Sequence, residues 1–424
     1  MTVTEALQHL KSLALFGYHP GLETTRQLSA ASGNPERRLR FIHVAGTNGK
    51  GSVCAFLESI YRATGLRVGM YTSPHLVRFG ERIQINRVPM SDDELARGVA
   101  ELRSFTASLP GVEPTFFEFT TVLALRRFAE AGVDLVIWET GLGGRLDATN
   151  IVTPLASVVT RIGLDHQAVL GPTVARIAAE KAGIIKPGVP VLTAAGDPDA
   201  LAILEFKARE LDAPFLTIGE PEAATLPGPV GLLGAHQRVN AALAAATARL
   251  LRALIPVSDD ALKSGLAQTQ WPGRLQVLRR GPQTLVLDGA HNPQGIGALA
   301  AALPELLPGS RPTFIVGLLA DKDWREMARL LAPLAGRILT TPVTSDRTVS
   351  AADLKAAFVA SGLGRPVKAV DSLAEALRAT SGDPAVVITG SLYLVGEALG
   401  LLDPASAPDP AERALNDWKP PSSP

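Results

Sequence analysis

The chain has 424 residues, with 41 Lys and Arg against 41 Asp and Glu, 46% hydrophobic residues and one cysteine. At about 100 to 200 residues per domain, that length folds as two or three domains, each burying its own core. The balanced charge removes the long-range field that would draw the whole molecule to nucleic acid or an anionic membrane, so any polyanion must be met at a local site. No apolar run reaches the roughly 18 residues that span a bilayer, which argues against a membrane partner.

In chain order, Met1-Thr2-Val3-Thr4-Glu5 places an acid where a secretory signal needs a basic stretch. Ala6, Leu7, Leu10, Leu13 and Ala14 share one face of a helix over residues 3–15. Phe41–Ala45, Asp134–Trp138 and Leu155–Thr160 are short apolar runs, each followed by Gly-rich or polar punctuation and separated by helical patterns. Cys54, beside Val53 and Phe56, reads as a small buried hydrophobe, and a lone thiol without an export signal fits a cytoplasmic protein. A second alternating series follows Trp271-Pro272-Gly273-Arg274, with runs at Thr284–Leu287, Thr313–Gly317, Arg337–Thr340, Val367–Val370 and Ala385–Ile388. The fold class is therefore α/β. An N-terminal P-loop domain with a parallel-rich sheet flanked by helices is expected over residues 1–272, and a smaller Rossmann-like α/β domain over 273–403. Residues 404–424 hold six prolines and few large apolar groups, and are expected to be a disordered tail.

Phe41 to Ser52 reads as a strand, a Gly-rich turn and the start of a helix. In such a turn, backbone N–H groups close on phosphate oxygens, the helix N-terminus adds positive potential, and Lys50 offers a point charge to the outer phosphates. Gly46, Thr47, Asn48, Gly49, Lys50, Gly51 and Ser52 are thus the candidate nucleotide-phosphate loop. Val44 stands where the common nucleotide loop has its first glycine, and Gly51 where it has Ser or Thr. A shorter loop is implied, and a GTPase or kinase is disfavoured. Glu139 ends an apolar run, so its carboxylate should emerge at the carboxyl edge of the sheet, where a hard ion such as Mg²⁺ is held by one or two carboxylates and phosphate oxygens. Asp288 ends another run in the second series, again at a ligand-facing edge.

Gly46-Thr47-Asn48-Gly49-Lys50-Gly51-Ser52 resembles the phosphate loop of the Mur ligase superfamily, and His43-Val44-Ala45 before it narrows the resemblance to the folylpolyglutamate synthase and dihydrofolate synthase branch. Segments Thr72–Leu76, Glu81–Ile83, Phe116–Glu118, Glu139–Asn150, Gly163–His166, Glu180–Lys186, Gly273–Leu275, Asp288–Pro293 and Ser391–Tyr393 resemble that family's motifs in the same order. The resemblance implies an ATP-dependent ligase that adds L-glutamate to dihydropteroate and to reduced folates through an acyl phosphate, releasing ADP and phosphate. Folylpolyglutamate synthesis alone, or a nucleotide-binding regulator without catalysis, are the alternatives. A peptidoglycan-type ligase is disfavoured because the loop lysine already falls at residue 50. The expected partners are small molecules, with no nucleic acid or membrane, and the chain is expected to act as a monomer.

By the same resemblance, Lys50, Lys181, His166 and Glu139 are the catalytic set. Ser73, Glu139 and His166 hold one Mg²⁺, and Ser52 contributes near the nucleotide. Asp165 is the alternative ligand to His166, with the histidine then orienting it. Phe117, Asp147 and Ala148 belong to the pterin pocket, while Arg274, Asp288 and His291 contact ATP, and Ser391 is a further substrate contact. Lys181 is implied to be carbamylated and so to bind a second Mg²⁺; its amine must then be partly desolvated, whereas Lys186 should stay charged and exposed. His43 and His75 are assigned no catalytic role.

Overall fold

The computed structural model describes residues 1–14, 21–362, 364–403 and 410–416. The chain divides into two compact units, one built from Met1–Gly231, Gln237–Gln270 and the segment from Pro410, the other from Leu232–His236 and Trp271–Asp409. Sequence expectation sets the main boundary between 272 and 273. It does not foresee that residues 232–236 belong with the second unit.

The first unit contains an eight-stranded sheet: β1 (Phe41–Ala45), β2 (Val68–Tyr71), β3 (Ile83–Ile85), β4 (Val88–Pro89), β5 (Leu135–Glu139), β6 (Ala156–Val159), β7 (Val191–Thr193) and β8 (Phe215–Thr217), in the order β4-β3-β2-β5-β1-β6-β7-β8. All strands pair in parallel except the β3–β4 hairpin, which runs antiparallel beside β2. Every residue of β1 is buried, as a central parallel strand covered on both faces requires. β1 leads to β2 on one side while its neighbour β6 leads to β7 on the other, so the loops after these two strands leave in opposite directions. The crevice this opens at the carboxyl ends of the strands is where doubly wound sheets bind ligands.

β5 begins one residue later than the apolar run suggests, because Asp134 is occupied outside the ladder: its carboxylate accepts from Arg67 N at 2.7 Å and its carbonyl from Arg40 Nε at 3.0 Å. The first helix spans Val3–Leu13 and buries Ala6, Leu7, Leu10 and Leu13, the face that its spacing predicts. Cys54 is fully buried and free.

The second unit holds β9 (Gln276–Arg280), β10 (Gln283–Asp288), β11 (Thr313–Val316), β12 (Arg337–Thr340), β13 (Val367–Ala369) and β14 (Ala385–Thr389), ordered β13-β12-β11-β14-β10-β9. Only β9 is antiparallel to its neighbour. Its core gathers Val286, Phe314, Met327, Ile338, Phe358 and Val387 between sheet and helices. Among the described residues no helix is long and apolar enough to cross a membrane.

The expected tail needs correction over part of its length. Residues 404–409 and 417–424 lie outside the described residues, but Pro410–Ala414 form a helical turn, and Leu415 enters the hydrophobic core of the first unit. Leu415 supplies the apolar anchor that the proline count conceals.

Trp138 ties the sheet to the loop beyond β5, its Nε1 donating to the Thr149 carbonyl at 2.9 Å in the interior. Trp138→Phe keeps an aromatic ring but leaves that carbonyl unpaired, and should lower unfolding free energy by about 1–3 kcal/mol in urea titrations.

Candidate functional site

Gly46 follows β1 with φ of 151°, and a Cβ there would lie 1.8 Å from Thr160 Oγ1, so no other residue fits without displacing the strand end of β6. Gly49, at φ 94°, starts the helix Lys50–Arg62, and a Cβ on it would meet Asn240 Oδ1 at 2.6 Å. The loop is pinned to the one after β6: Thr47 N and Asn48 N both donate to the Arg161 carbonyl, at 2.9 and 3.2 Å, and Thr160 Oγ1 donates to the Asn48 carbonyl at 2.8 Å. Among the described residues no side chain caps the helix Lys50–Arg62, so its leading amides keep the positive potential that anions seek.

Two lysines converge on one carbonyl. Lys50 Nζ donates to Gly46 O at 3.1 Å, and Lys181 Nζ donates to the same oxygen at 2.8 Å. Lys181 sits in the last turn of the helix Val174–Ala182 and is 4% exposed. Burial and then the nearby Lys50 charge pull its pKa down to about 7, against the opposing pull of Asp165 and Asp147. Lys186 departs from expectation: it is half-buried, donates to the Asn150 carbonyl at 3.4 Å, and has its pKa lowered by burial.

Glu139, the last residue of β5, is 4% exposed, and its Oε2 accepts from Ser73 N at 3.1 Å. His166 has a left-handed backbone with φ of 50°; its amide donates to Asp165 Oδ1 at 2.8 Å, and its Nε2 lies 3.9 Å from the same oxygen. The structure thus pairs Ser73 with Glu139 and Asp165 with His166. Among the described residues no three His, Cys, Asp or Glu side chains gather as a metal cluster. Ser52 Oγ and Thr140 Oγ1, however, are buried with no hydrogen-bond partner among the described residues. Such hydroxyls, one on the phosphate-loop helix and one next in sequence to the strand-end carboxylate, fit an ion that takes few protein oxygens and completes its shell with phosphate and water.

The loop after Glu139 is organised by Asp147. Its carboxylate accepts from Leu142 N at 2.7 Å and Thr149 N at 3.0 Å, and also from Thr149 Oγ1. Burial raises its pKa, opposed by these bonds. Asp147 is 4% exposed and Ala148 5%, so both are buried within the loop. Asn150, given no role from sequence, bridges the loop to the Lys181 helix by donating to the Arg145 and Gly183 carbonyls, each at 3.0 Å. Phe117 lies in the first turn of Phe116–Ala131 and is half-buried. Its ring packs so closely on Gly141 that a Cβ there would come within 2.4 Å of Cζ.

His43 Nε2 lies 3.0 Å from Thr149 Oγ1, and burial lowers its pKa to about 3. In the second unit, Asp288 accepts from Leu275 N at 2.8 Å and Ala290 N at 3.0 Å. His291 Nδ1 is 2.8 Å from the Gly289 carbonyl, so that nitrogen donates, and Arg274 reaches back to the Gly273 carbonyl at 3.3 Å. Arg274 also lies against Gly289, where a Cβ would be 2.5 Å from Nη1. Ser391 caps the helix Leu392–Leu402 by accepting from Leu394 N.

The Lys181 pKa of about 7 lies below its ordinary 10.5, so the unfolded chain binds the proton more tightly between those values. The burial penalty is full below pH 7 and fades as pH rises toward 10.5. In bicarbonate-free protein, Lys181→Met should therefore stabilise more at pH 6 than at pH 9.5, as read from paired denaturant titrations.

Residues 273–392 match the Mur ligase, glutamate ligase domain family. A protein of Bacillus subtilis named dihydrofolate synthase/folylpolyglutamate synthase is 38% identical over 408 residues, covering 90% of this chain and 95% of the relative. A folylpolyglutamate synthase of Lacticaseibacillus casei is also 38% identical, covering 93% of this chain and 97% of that protein. The solved structure of an Escherichia coli relative in complex with DHPP and ADP superposes with a TM-score of 0.85 at 30% identity, covering 96% of this chain and 99% of that one. The sequence motifs, the glycine-walled loop and these likenesses agree: the chain belongs to the dihydrofolate synthase/folylpolyglutamate synthase family.

Proposed function

We propose that the protein is an ATP-dependent amide ligase that joins L-glutamate to dihydropteroate and to reduced folates, releasing ADP and phosphate. The observation that carries this reading is the phosphate loop of Gly46–Ser52, with two lysines on one carbonyl, in a chain aligned nearly end to end with such synthases. A carboxylate is unreactive toward an amine until one of its oxygens attacks the γ-phosphorus and ADP leaves. The amine then attacks the acyl carbon, and phosphate departs. Because charge accumulates on phosphoryl oxygens, positioned cations and amides do most of the work.

Lys50 and the amides of the Lys50–Arg62 helix bind and orient the phosphates. Ser52, Ser73, Glu139 and His166 would hold Mg²⁺, which supplies neutralisation of phosphate charge when bound. Lys181 has a substantial neutral fraction near pH 7, the form that adds carbon dioxide with loss of a proton. The resulting carbamate is an anion able to hold a second Mg²⁺, a task its ammonium cannot perform. Arg274, Asp288 and His291 are assigned to the nucleotide and Ser391 to substrate. Phe117 offers the pterin a flat face. Asp147 and Ala148 support that region from within, as the frame of the loop.

The test is ATP turnover with glutamate and either dihydropteroate or tetrahydrofolate, with mass analysis of the products. Glutamylation of both, with ADP and phosphate formed one for one, is expected; AMP and pyrophosphate would refute the reading. Extension of tetrahydrofolate alone would place the chain with the Lacticaseibacillus casei protein, which is named for that activity only. Lys181→Ala should lose at least about a hundredfold in turnover and recover part of it with added acetate, whose carboxylate stands in for the carbamate.

A further inference from the structure

Residues 410–416 return to the first unit and seat on the loop that follows Ser73. Glu412 is 2% exposed; its Oε1 accepts from Phe79 N at 3.2 Å, its Oε2 pairs with Arg78 Nε at 3.0 Å, and its carbonyl lies 3.0 Å from His75 Nε2. Asn416 Nδ2 donates to the His75 carbonyl at 2.9 Å, while its Oδ1 accepts from Arg82 Nη2 at 2.7 Å. Arg82 Nε donates to His75 Nδ1 at 2.8 Å. Because arginine only donates, Nδ1 must be the acceptor, and the single proton of the neutral imidazole sits on Nε2, facing the Glu412 carbonyl. Burial followed by the Arg82 charge keeps that ring neutral.

The loop is already partly folded by Glu81, whose carboxylate accepts from Leu76 N, Val77 N and Arg78 N at 2.7 to 3.0 Å. That nest fixes residues 76–78. His75 and Phe79, on either side of it, are held by the returning segment. Two residues before His75, the Ser73 amide donates to Glu139, and Arg82 lies 5.2 Å over the ring of Phe116, next in sequence to Phe117.

We propose that Pro410–Asn416 is a positioning element of the active site, Glu412 and Asn416 fixing the 73–82 loop and through it the Ser73–Glu139 contact. This rests on the reading of Ser73 and Glu139 as part of a Mg²⁺-dependent ligase site. A solvent-exposed terminal segment would need no buried carboxylate; here Glu412 spends both carboxylate oxygens and its carbonyl on one loop.

The experiment compares the full chain with Asn416→Ala and Asn416→Asp by two readouts: hydrogen exchange of the amides of residues 73–82, and the Mg²⁺ concentration giving half-maximal ligation. Asn416→Ala should speed exchange across 73–82 and raise the Mg²⁺ requirement, each by about three- to thirtyfold, as expected for coupling carried through packed neighbours. Asn416→Asp keeps an acceptor for Arg82 and should recover part of both effects. Wild-type exchange in Asn416→Ala overturns the proposal. So does a lowered melting temperature with an unchanged Mg²⁺ requirement, which assigns the segment to stability alone. If the unmodified protein ligates no glutamate, the functional reading fails, while faster exchange across 73–82 in Asn416→Ala still supports the positioning of that loop and unaltered exchange overturns it.

Discussion

The carbonyl oxygen of Gly46 accepts from Lys50 and Lys181 together, and most of the site follows from what that requires. Two ammonium groups on one acceptor repel, and one of them is buried. Lowering a lysine pKa from 10.5 to about 7 means that charging it in place costs about 5 kcal/mol more than in water, at about 1.4 kcal/mol per unit. The protein holds a lysine there only by surrounding it with compensation: Asp165 and Asp147 favour its charge, and the Gly46 oxygen accepts its hydrogen bond. Gly46 itself must lack a side chain, since Thr160 fills the space a Cβ would enter. A phosphate chain brought to this loop would relieve the repulsion, so the same arrangement that strains the free protein favours an anionic ligand.

A second theme is how acidic residues in the motifs divide their labour. Asp147 and Glu81 each accept backbone amides of their own turns, and Asp288 accepts one from its own turn and one from Leu275, which fixes these connections. Glu139 gives an oxygen to a neighbouring loop, at Ser73, and Asp165 to the adjoining amide of His166. Rigid loops at the carboxyl ends of β1, β5 and β6 therefore present a small number of working groups, as phosphoryl chemistry demands when positioning supplies most of the rate.

Much of this is legible in the sequence. The apolar runs around Phe41–Ala45 and Ala385–Ile388 mark strands because parallel strands are buried on both faces and leave an uninterrupted hydrophobic signature. Glu139 at the end of such a run is placed by the same logic, and Lys50 by its glycines. Lys181 is recognised only by the string around it, since its acceptor is 135 residues away and no local pattern reports burial. Asp147, an acid in a Gly-rich motif that resembles a ligand contact, also binds the amides of Leu142 and Thr149 and the Thr149 hydroxyl, bonds that the motif does not announce. The role of residues 410–416 is hidden because prolines mark the tail that contains them, while Glu412 and Asn416 find their partners more than 300 residues earlier in the chain.

Burial and the charge of Lys50 together keep Lys181 poised between ammonium and free amine. Its titration can be followed by NMR of isotopically labelled lysine side chains in bicarbonate-free protein, with and without Lys50→Met. The account predicts a Lys181 pKa near 7 that rises when the Lys50 charge is removed. A value near the ordinary 10.5 in both proteins would contradict it.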